Sequence, residues 1–320
     1  MRPAINNNKY IFAIIMKCFA TLLITNAHLG PYYPEDLRFL SFGGALGNAL
    51  FFFCSGYMLT LSIKKRNYIF WILRRLFRIM IPTWCFLILS SLYYNNQAFD
   101  ILKFVCTPYW FVNAIIIFYL LYYPIIKYLT NYIICICIIL SIMTVVLFYS
   151  TDYHHWMIEE CVNDIYIHYL YYFLIMLIGG WISIYKNSNI IINSLKKSIF
   201  GVTFFVSLYM AVKYNIIHSD FPIYSLQLLL PVLLLVFCLL IYNTSLIICN
   251  TYLKDGKVNV IIEKLSNITL EIYLVQFLIM DIFQNLKFPY GLLVVVSFIF
   301  ITAELLHNLS YWLQKKLHLL

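Results

Sequence analysis

The chain has 320 residues, of which 63% are hydrophobic and 11% are charged, and its formal net charge is +9. Soluble domains contain roughly 45–50% apolar and about 25% charged residues, so this composition excludes an ordinary soluble protein and predicts that lipid surrounds the chain. The basic residues are not gathered on a polar domain, which argues against nucleic acid as a partner.

Ten near-continuous apolar segments follow one another along the chain, most of them close to the ~20 residues that a transmembrane helix needs. They are residues 10–27, 46–63, 79–94, 110–126, 132–149, 166–185, 199–216, 226–242, 268–283 and 290–307. The segments are apolar throughout rather than alternating, which argues against a membrane β-barrel. We therefore predict an all-α, polytopic membrane protein of about ten transmembrane helices, forming a single domain over residues 1–320.

The distribution of basic residues predicts how the helices are oriented. If the N-terminus is cytoplasmic, 17 of the 22 Lys and Arg residues fall in cytoplasmic stretches and four in outer loops or near the outer end of a segment. This asymmetry is the positive-inside pattern, and it predicts that both the N- and the C-terminus are cytoplasmic.

The nine cysteines do not form a metal-binding motif, because no CxxC spacing occurs. Most of them fall within apolar segments, where a free thiol packs like a small apolar group. Cys106 and Cys161 fall near predicted outer loops, where a disulfide could form in an oxidising compartment.

The acidic loop 150–165 is more typical of a solvated segment than of a cation or sugar site; its ionisable residues are Asp152, His154, His155, Glu159, Glu160 and Asp164.

Two ionisable residues of the first segment are candidates for chemistry, because charges inside a membrane are costly and often functional. Lys17 and His28 are eleven positions apart, which places them about 20° apart around a helix and about 16 Å apart along it. A cation near mid-membrane and an imidazole at the outer end would then line one face. The alternative is that Lys17 snorkels while His28 only begins a loop.

A second candidate is the run Arg74-Arg75-Leu76-Phe77-Arg78 at the cytoplasmic start of the third segment. Arg75 and Arg78 are three positions apart, so their side chains project from one side of a helix. The guanidinium group suits phosphate recognition, and CoA carries several phosphates. The alternative is that these arginines only anchor the cytoplasmic side.

Taken together, these motifs resemble the acyltransferase 3 family of bacterial membrane-bound O-acyltransferases. That family typically carries a basic residue, ten intervening residues and a histidine on its first helix, and an arginine pair separated by two residues on its third. Lys17 with His28 and Arg75 with Arg78 match these patterns. Further similarity, extending over nearly the whole chain, lies in the stretches GNALFFFCSGYML, RRLFRIMIP, YWFVNAIIIFYLLYYP and LSNITLEIYLVQF.

The resemblance implies a bacterial inner-membrane enzyme that moves an acyl group, usually acetyl from acetyl-CoA, to a hydroxyl of a cell-surface polysaccharide or a lipid-linked sugar. Arg75 and Arg78 would bind the CoA phosphates, and Lys17 would guide or polarise the thioester. His28 would act at the acceptor, either as a general base or by carrying the acyl group transiently. No metal is implied.

The sequence departs from the family pattern at two positions. Lys17 stands where arginine is common, and Gln276 stands where many relatives have histidine. We expect Gln276 and Asp281 on the acceptor side, where Asp281 would orient His28 or a sugar hydroxyl. Glu271 and Glu304 fall near the inner ends of their segments and are expected to pair with Lys264 or with other basic residues there.

Two other functions compete with the enzyme. A transporter or a flippase of a lipid-linked glycan would also use helices with a few buried charges, and Pro231 and the Gly179-Gly180 pair are the internal breaks that favour it. A structural partner of a polysaccharide-assembly complex would give no role to Lys17, His28 or the arginine pair.

Overall fold

The computed structural model describes residues 8–63, 67–94, 107–150, 165–185, 194–218, 224–253 and 260–317. Within these ranges the regular structure is helical, with short 3₁₀ segments between some of the α-helices. The α-helices are α1 Asn8–His28, α2 Gly44–Ile63, α3 Tyr68–Tyr93, α4 Trp110–Tyr128, α5 Ile133–Ser150, α6 Ile165–Tyr185, α7 Leu195–His218, α8 Leu229–Thr251, α9 Val260–Asn267, α10 Thr269–Ile282 and α11 Tyr290–Lys316. Cys106, Cys161 and the charged residues of the acidic loop lie outside the described residues.

The lengths and composition of these helices confirm the predicted all-α, polytopic membrane class. In the described ranges, nine helices are long and apolar enough to cross a membrane, and the number is ten if α9 and α10 form one span with a 72° bend. Helix α5 shows the expected lipid-facing surface, because its large apolar side chains are mostly exposed. Exposed apolar surface of this kind is stable only in lipid. The orientation of the termini remains a prediction.

Three helices extend well beyond the apolar segments that predicted them. Helix α3 begins at Tyr68 rather than at residue 79, and α8 and α11 end at Thr251 and Lys316. The predicted segments stopped where charged or polar residues appear, but arginine, lysine and glutamine, which occur in the extensions of α3 and α11, are good helix formers. As a result, Arg75 and Arg78 lie inside a helix rather than at its start. Residues 243–251, which fall between two predicted segments, are also helical.

The chain divides into two compact units. Unit 1 comprises Met1–Lys17, Asn48–Lys64 and Pro124–Asn259, and unit 2 comprises Cys18–Gly47, Lys65–Tyr123 and Val260–Leu320. In unit 2, α10 packs on α3 and α11, and α11 also packs on α3. With the exception of Lys17, every candidate site residue belongs to unit 2.

Unit 1 is built from helix pairs, with α5 packed on α6 and α7 packed on α8. Its core includes an aromatic cluster in which the Tyr242 ring lies 5.3, 5.9 and 5.8 Å from the rings of Phe12, Phe53 and Tyr57. Each of these distances is within the range of favourable aromatic pairs.

Helices α2 and α6 approach each other closely at two glycines. A Cβ atom at Gly56 would lie 1.9 Å from the Met176 carbonyl oxygen, and one at Gly179 would lie 2.2 Å from the Phe53 carbonyl oxygen. Small residues allow this approach between helices in membranes. Gly179 therefore lies within the uninterrupted helix α6 and serves packing, which removes one of the two breaks that favoured a transporter.

We expect Gly56→Ala to destabilise the protein, because neither backbone can move without disturbing a packed helix. The cost should be at least the ~1–3 kcal/mol typical of an overpacked site. Gly201→Ala is the matched control, since a Cβ there would have its nearest neighbour at 3.5 Å and alanine favours the helix. Thermal unfolding of the purified proteins in detergent measures the difference. Equal unfolding midpoints for the two variants would contradict the close approach.

Candidate active site

Helix α1 carries both Lys17 and His28, and His28 is its last residue. The His28 Nδ1 atom lies 2.8 Å from the carbonyl oxygen of Ile24. A carbonyl oxygen can only accept a hydrogen bond, so Nδ1 carries the hydrogen, and in the neutral ring Nε2 holds the lone pair. The ring also packs edge-on against Phe277, with 4.8 Å between the ring centroids. Two contacts therefore orient an imidazole whose Nε2 can accept a proton.

Lys17 lies in the part of α1 that belongs to unit 1. Its side chain is partly buried, and its ammonium group is within electrostatic range of the Cys54 thiol. Cys54 in turn donates a weak hydrogen bond to the carbonyl oxygen of Ala13, at 3.5 Å. Lys17 is thus a cation placed among buried groups of α1 and α2.

His28 lies among other polar groups at one end of unit 2. The Tyr32 hydroxyl donates to the carbonyl oxygen of Met280 at 2.7 Å, and the Tyr94 hydroxyl donates to Asp281 Oδ2 at 2.6 Å. These bonds connect the segments after α1 and α3 to the last turns of α10. We refer to His28, Tyr32, Tyr94 and Asp281 as the imidazole end.

The phenols at the imidazole end are held in their protonated form. The hydrogen bond to Asp281, followed by burial, raises the pKa of Tyr94 to about 12. Burial, with a smaller effect of Asp281, also raises the pKa of Tyr32. Burial raises the pKa of the neighbouring Tyr109 to about 12. These hydroxyls therefore remain hydrogen-bond donors at neutral pH.

The two predicted arginines lie in the first half of α3. Arg75 is partly buried and its guanidinium carbon lies 5.8 Å from the centre of the Trp71 ring, within the range of a cation–π contact. Arg78 is exposed. Both guanidinium groups act electrostatically on Tyr119 of α4, so they project toward the same side, as their spacing predicted.

A buried carboxyl group that contacts an imidazole lies close to these arginines. His307 Nδ1 of α11 is 2.8 Å from Glu271 Oε1 of α10, and only 5% of the Glu271 side chain is exposed. Arg78 is within electrostatic range of His307. Glu304 instead pairs with Lys264 at 3.1 Å, on the surface. We refer to Arg75, Arg78, Glu271 and His307 as the arginine end.

The imidazole end and the arginine end lie at opposite ends of the same helices. Glu271 and Asp281 are ten residues apart on α10, which corresponds to about 15 Å along a helix. Arg78 and Tyr94 are separated by about 24 Å along α3 on the same basis. Unit 2 therefore separates a cationic region from a region of hydroxyls and imidazole.

Gln276 lies between the two ends, in the middle of α10. Its side chain is fully buried, and neither its Nε2 nor its Oε1 has a hydrogen-bond partner among the described residues. The Thr25 hydroxyl of α1 is also buried and without a described partner. Buried polar atoms are rarely left in this state.

Sequence reasoning did not identify Tyr32, Tyr94, Thr25 or the pairing of Glu271 with His307. Tyrosine and threonine are frequent in this chain and carry no charge that hydropathy would flag. The only available signal for Tyr94 was its position at the outer end of the third apolar segment, the same side as Asp281.

Comparison with protein families gives a match over residues 10–303 to a family model described as an acyltransferase domain. The match covers nearly the whole chain and includes every site residue that the sequence predicted. Comparisons with curated proteins and with solved structures gave no match.

We expect Asp281→Asn to lower the pKa of Tyr94 from about 12. An amide lacks the negative charge that opposes formation of the phenolate, so Tyr94 should ionise at a lower pH. The measurement is a pH titration by NMR of protein labelled at the tyrosine ring carbon next to the hydroxyl, with Tyr94→Phe identifying the signal. Glu304→Gln is the control, since Glu304 pairs with Lys264 elsewhere. A Tyr94 titration that is the same in both variants would contradict the bond.

Proposed function

This chain belongs to the acyltransferase 3 family and is a multi-pass membrane acyltransferase, and we propose that it transfers an acyl group, usually acetyl, from acyl-CoA to a sugar hydroxyl. The acceptor is a cell-surface polysaccharide or a lipid-linked sugar at the bacterial inner membrane. The observation that carries the proposal is the tautomer of His28, because Nδ1 donates to Ile24 and Nε2 is left as the proton acceptor.

The arginine end supports the assignment of the donor. CoA carries phosphates, and guanidinium groups bind phosphate through paired, charge-assisted hydrogen bonds. Arg75 and Arg78 project toward one side, and Arg75 is partly fixed by Trp71. The positive-inside pattern predicts that this end faces the cytoplasm, where acyl-CoA is made.

The imidazole end supports the assignment of the acceptor. A sugar presents hydroxyl groups and apolar ring faces, which pair with hydroxyls, carboxylates and aromatic rings. Asp281 already accepts from Tyr94 at 2.6 Å, but a carboxylate has about four acceptor positions in total. It can therefore accept a second hydrogen bond from the sugar without losing the first.

In the simplest reaction, His28 Nε2 removes the proton from the acceptor hydroxyl as the oxygen attacks the thioester carbonyl. A C–O bond forms, the C–S bond breaks, and the sulfur leaves with the electron pair. The thiolate then takes the proton from His28, so the products are the acyl ester and free CoA. In the alternative route, Nε2 attacks first and carries the acyl group to the hydroxyl. The same lone pair serves both routes.

Lys17 has a supporting role in this proposal. Its ammonium group would guide the thioester or polarise its carbonyl as a point charge, without the paired contacts that arginine makes. The reactants are acyl-CoA and the sugar acceptor, with membrane lipid around the helices. Neither a metal nor a nucleic acid enters the proposed reaction.

We expect Arg75→Ala and Arg78→Ala each to weaken acetyl-CoA binding by about tenfold or more. Charge-assisted contacts to phosphate are worth roughly 1.5–3 kcal/mol. S-acetyl-pantetheine lacks the nucleotide phosphates, so its affinity should be the same in wild type and variants. Arg38→Ala is the control, because this exposed arginine lies in the segment between α1 and α2 and not on α3. Calorimetric titration of the detergent-purified proteins measures each affinity. An Arg75→Ala, Arg78→Ala double variant with unchanged acetyl-CoA affinity would reduce the pair to topology anchors.

We expect His28→Ala and His28→Gln to abolish acylation, because neither side chain can accept the proton and a general base typically contributes about 10²–10⁴-fold. A strain that lacks this chain is complemented with each variant, and acetyl groups on its purified surface polysaccharide are measured by NMR. Membrane abundance is checked by immunoblot, and His168→Ala serves as a control on a histidine of unit 1. Either His28 variant retaining activity within about threefold of wild type would remove His28 from the mechanism.

A further inference from the structure

The carboxamide of Gln276 is a polar group that the proposed reaction has not yet used. Its side chain is 0% exposed, and both Nε2 and Oε1 lack a partner among the described residues. Leaving such atoms unsatisfied is costly, so a buried glutamine without a partner among the described residues is a candidate for binding a reactant.

The Thr25 hydroxyl is a second buried polar group without a hydrogen-bond partner among the described residues. A threonine in a membrane helix usually donates to the carbonyl oxygen four residues earlier, as Thr60, Thr83, Thr144, Thr244 and Thr302 all do here. The Thr25 hydroxyl is 5% exposed and does not make this bond. Its hydrogen is therefore available to another acceptor.

Contacts within unit 2 bring these two residues to the same region. His28 meets Phe277, and Tyr32 meets Met280, so the order of contacts is the same along both segments. Gln276 directly precedes Phe277, and Thr25 lies one turn before His28 on α1. Both residues are therefore within one helical turn of the contact between His28 and Phe277.

We propose that the Thr25 hydroxyl and the Gln276 Nε2 group bind the carbonyl oxygen of the acyl group beside His28. This proposal rests on the proposed acyl transfer. It holds for either route: attack by the sugar oxygen forms a C–O bond, and attack by Nε2 forms a C–N bond. In both cases an electron pair of the C=O bond moves onto the carbonyl oxygen. Two neutral donors stabilise that negative charge. The electron pair on the oxygen then re-forms the C=O bond as the C–S bond breaks and the thiolate leaves.

The chemistry of the two side chains fits a carbonyl oxygen. A carbonyl oxygen only accepts hydrogen bonds, and a hydroxyl and an amide N–H both donate. The Gln276 Oε1 atom is left to accept from an O–H or N–H of the reactants, since sugars and the pantetheine arm carry such donors. Because the site is buried, these hydrogen bonds act where water does not compete.

The test compares Gln276→Met and Thr25→Val with the wild type. The chain is assayed in proteoliposomes with acetyl-CoA and surface polysaccharide purified from a strain that lacks this chain, and the released CoA is measured with a thiol reagent. We expect kcat to fall by about 10²-fold or more while both KM values stay within about threefold, because the contact strengthens only in the transition state. Thr25→Ser keeps the hydroxyl and Gln276→His keeps an N–H donor, so both should retain more activity than the apolar variants.

Thermal unfolding without substrate separates catalysis from structure. If Gln276 is unsatisfied in the free protein, Gln276→Met should leave the Tm unchanged or raise it, because an apolar chain of similar length removes an unpaired polar group. The controls are Gln314→Met, at another buried glutamine, and Thr83→Val, which loses a hydroxyl bonded within its own helix at 2.8 Å. Neither control should lower kcat.

Three results would contradict binding of the carbonyl oxygen by Thr25 and Gln276. The first is an unchanged kcat in both apolar variants, and the second is a rise in the KM for polysaccharide at constant kcat. The third is a lower Tm of Gln276→Met, or its failure to insert into the membrane. The last result would mean that the carboxamide serves packing. A wild-type protein that releases no CoA with the polysaccharide would instead overturn the proposed function, and the Tm of Gln276→Met would still decide whether the carboxamide is unsatisfied.

Discussion

The structure depends on one constraint, which is that polar groups inside lipid must find partners within the protein. Helices meet this constraint for the backbone, and most threonines meet it by donating to the preceding turn, as Thr60 and Thr244 do. Charged groups meet it by pairing, as Glu271 does with His307. A polar group that fails to meet the constraint is therefore informative in this chain. At Thr25 and Gln276, which lie within one helical turn of the contact between His28 and Phe277, the proposed partner is a reactant.

The two units satisfy this constraint in different ways. Unit 1 holds α2 and α6 together through close backbone contact at Gly56 and Gly179, a packing mode that needs no polar group. Unit 2 contains the ion pairs, the bonded phenols and the unsatisfied carboxamide of Gln276. With the exception of Lys17, the candidate site residues thus lie in unit 2, apart from the close glycine contacts of unit 1.

The sequence predicted the helical class and most spans because hydropathy depends on composition alone. It also predicted the register of Arg75 and Arg78, since helical geometry fixes it. The predicted start of α3 was too late, because the apolar segment was ended at Arg78, whereas arginine is readily accommodated in a helix. The sequence did not predict the hydrogen bond between Tyr94 and Asp281, which are 187 positions apart. Such a contact depends on how α3 packs on α10, and local periodicity carries no information about that.

The way in which His28 is oriented also bears on the chemistry. A backbone carbonyl, that of Ile24, holds Nδ1 at 2.8 Å, whereas a carboxylate in this position would stabilise the protonated ring strongly. The backbone carbonyl therefore fixes the tautomer and the direction of the ring without placing a negative charge beside it. In the proposed reaction this arrangement suits a thioester donor, because a thiolate is a good leaving group that needs no prior protonation by the imidazole. In the proposed site, Asp281 bonds Tyr94 and serves the sugar rather than the imidazole.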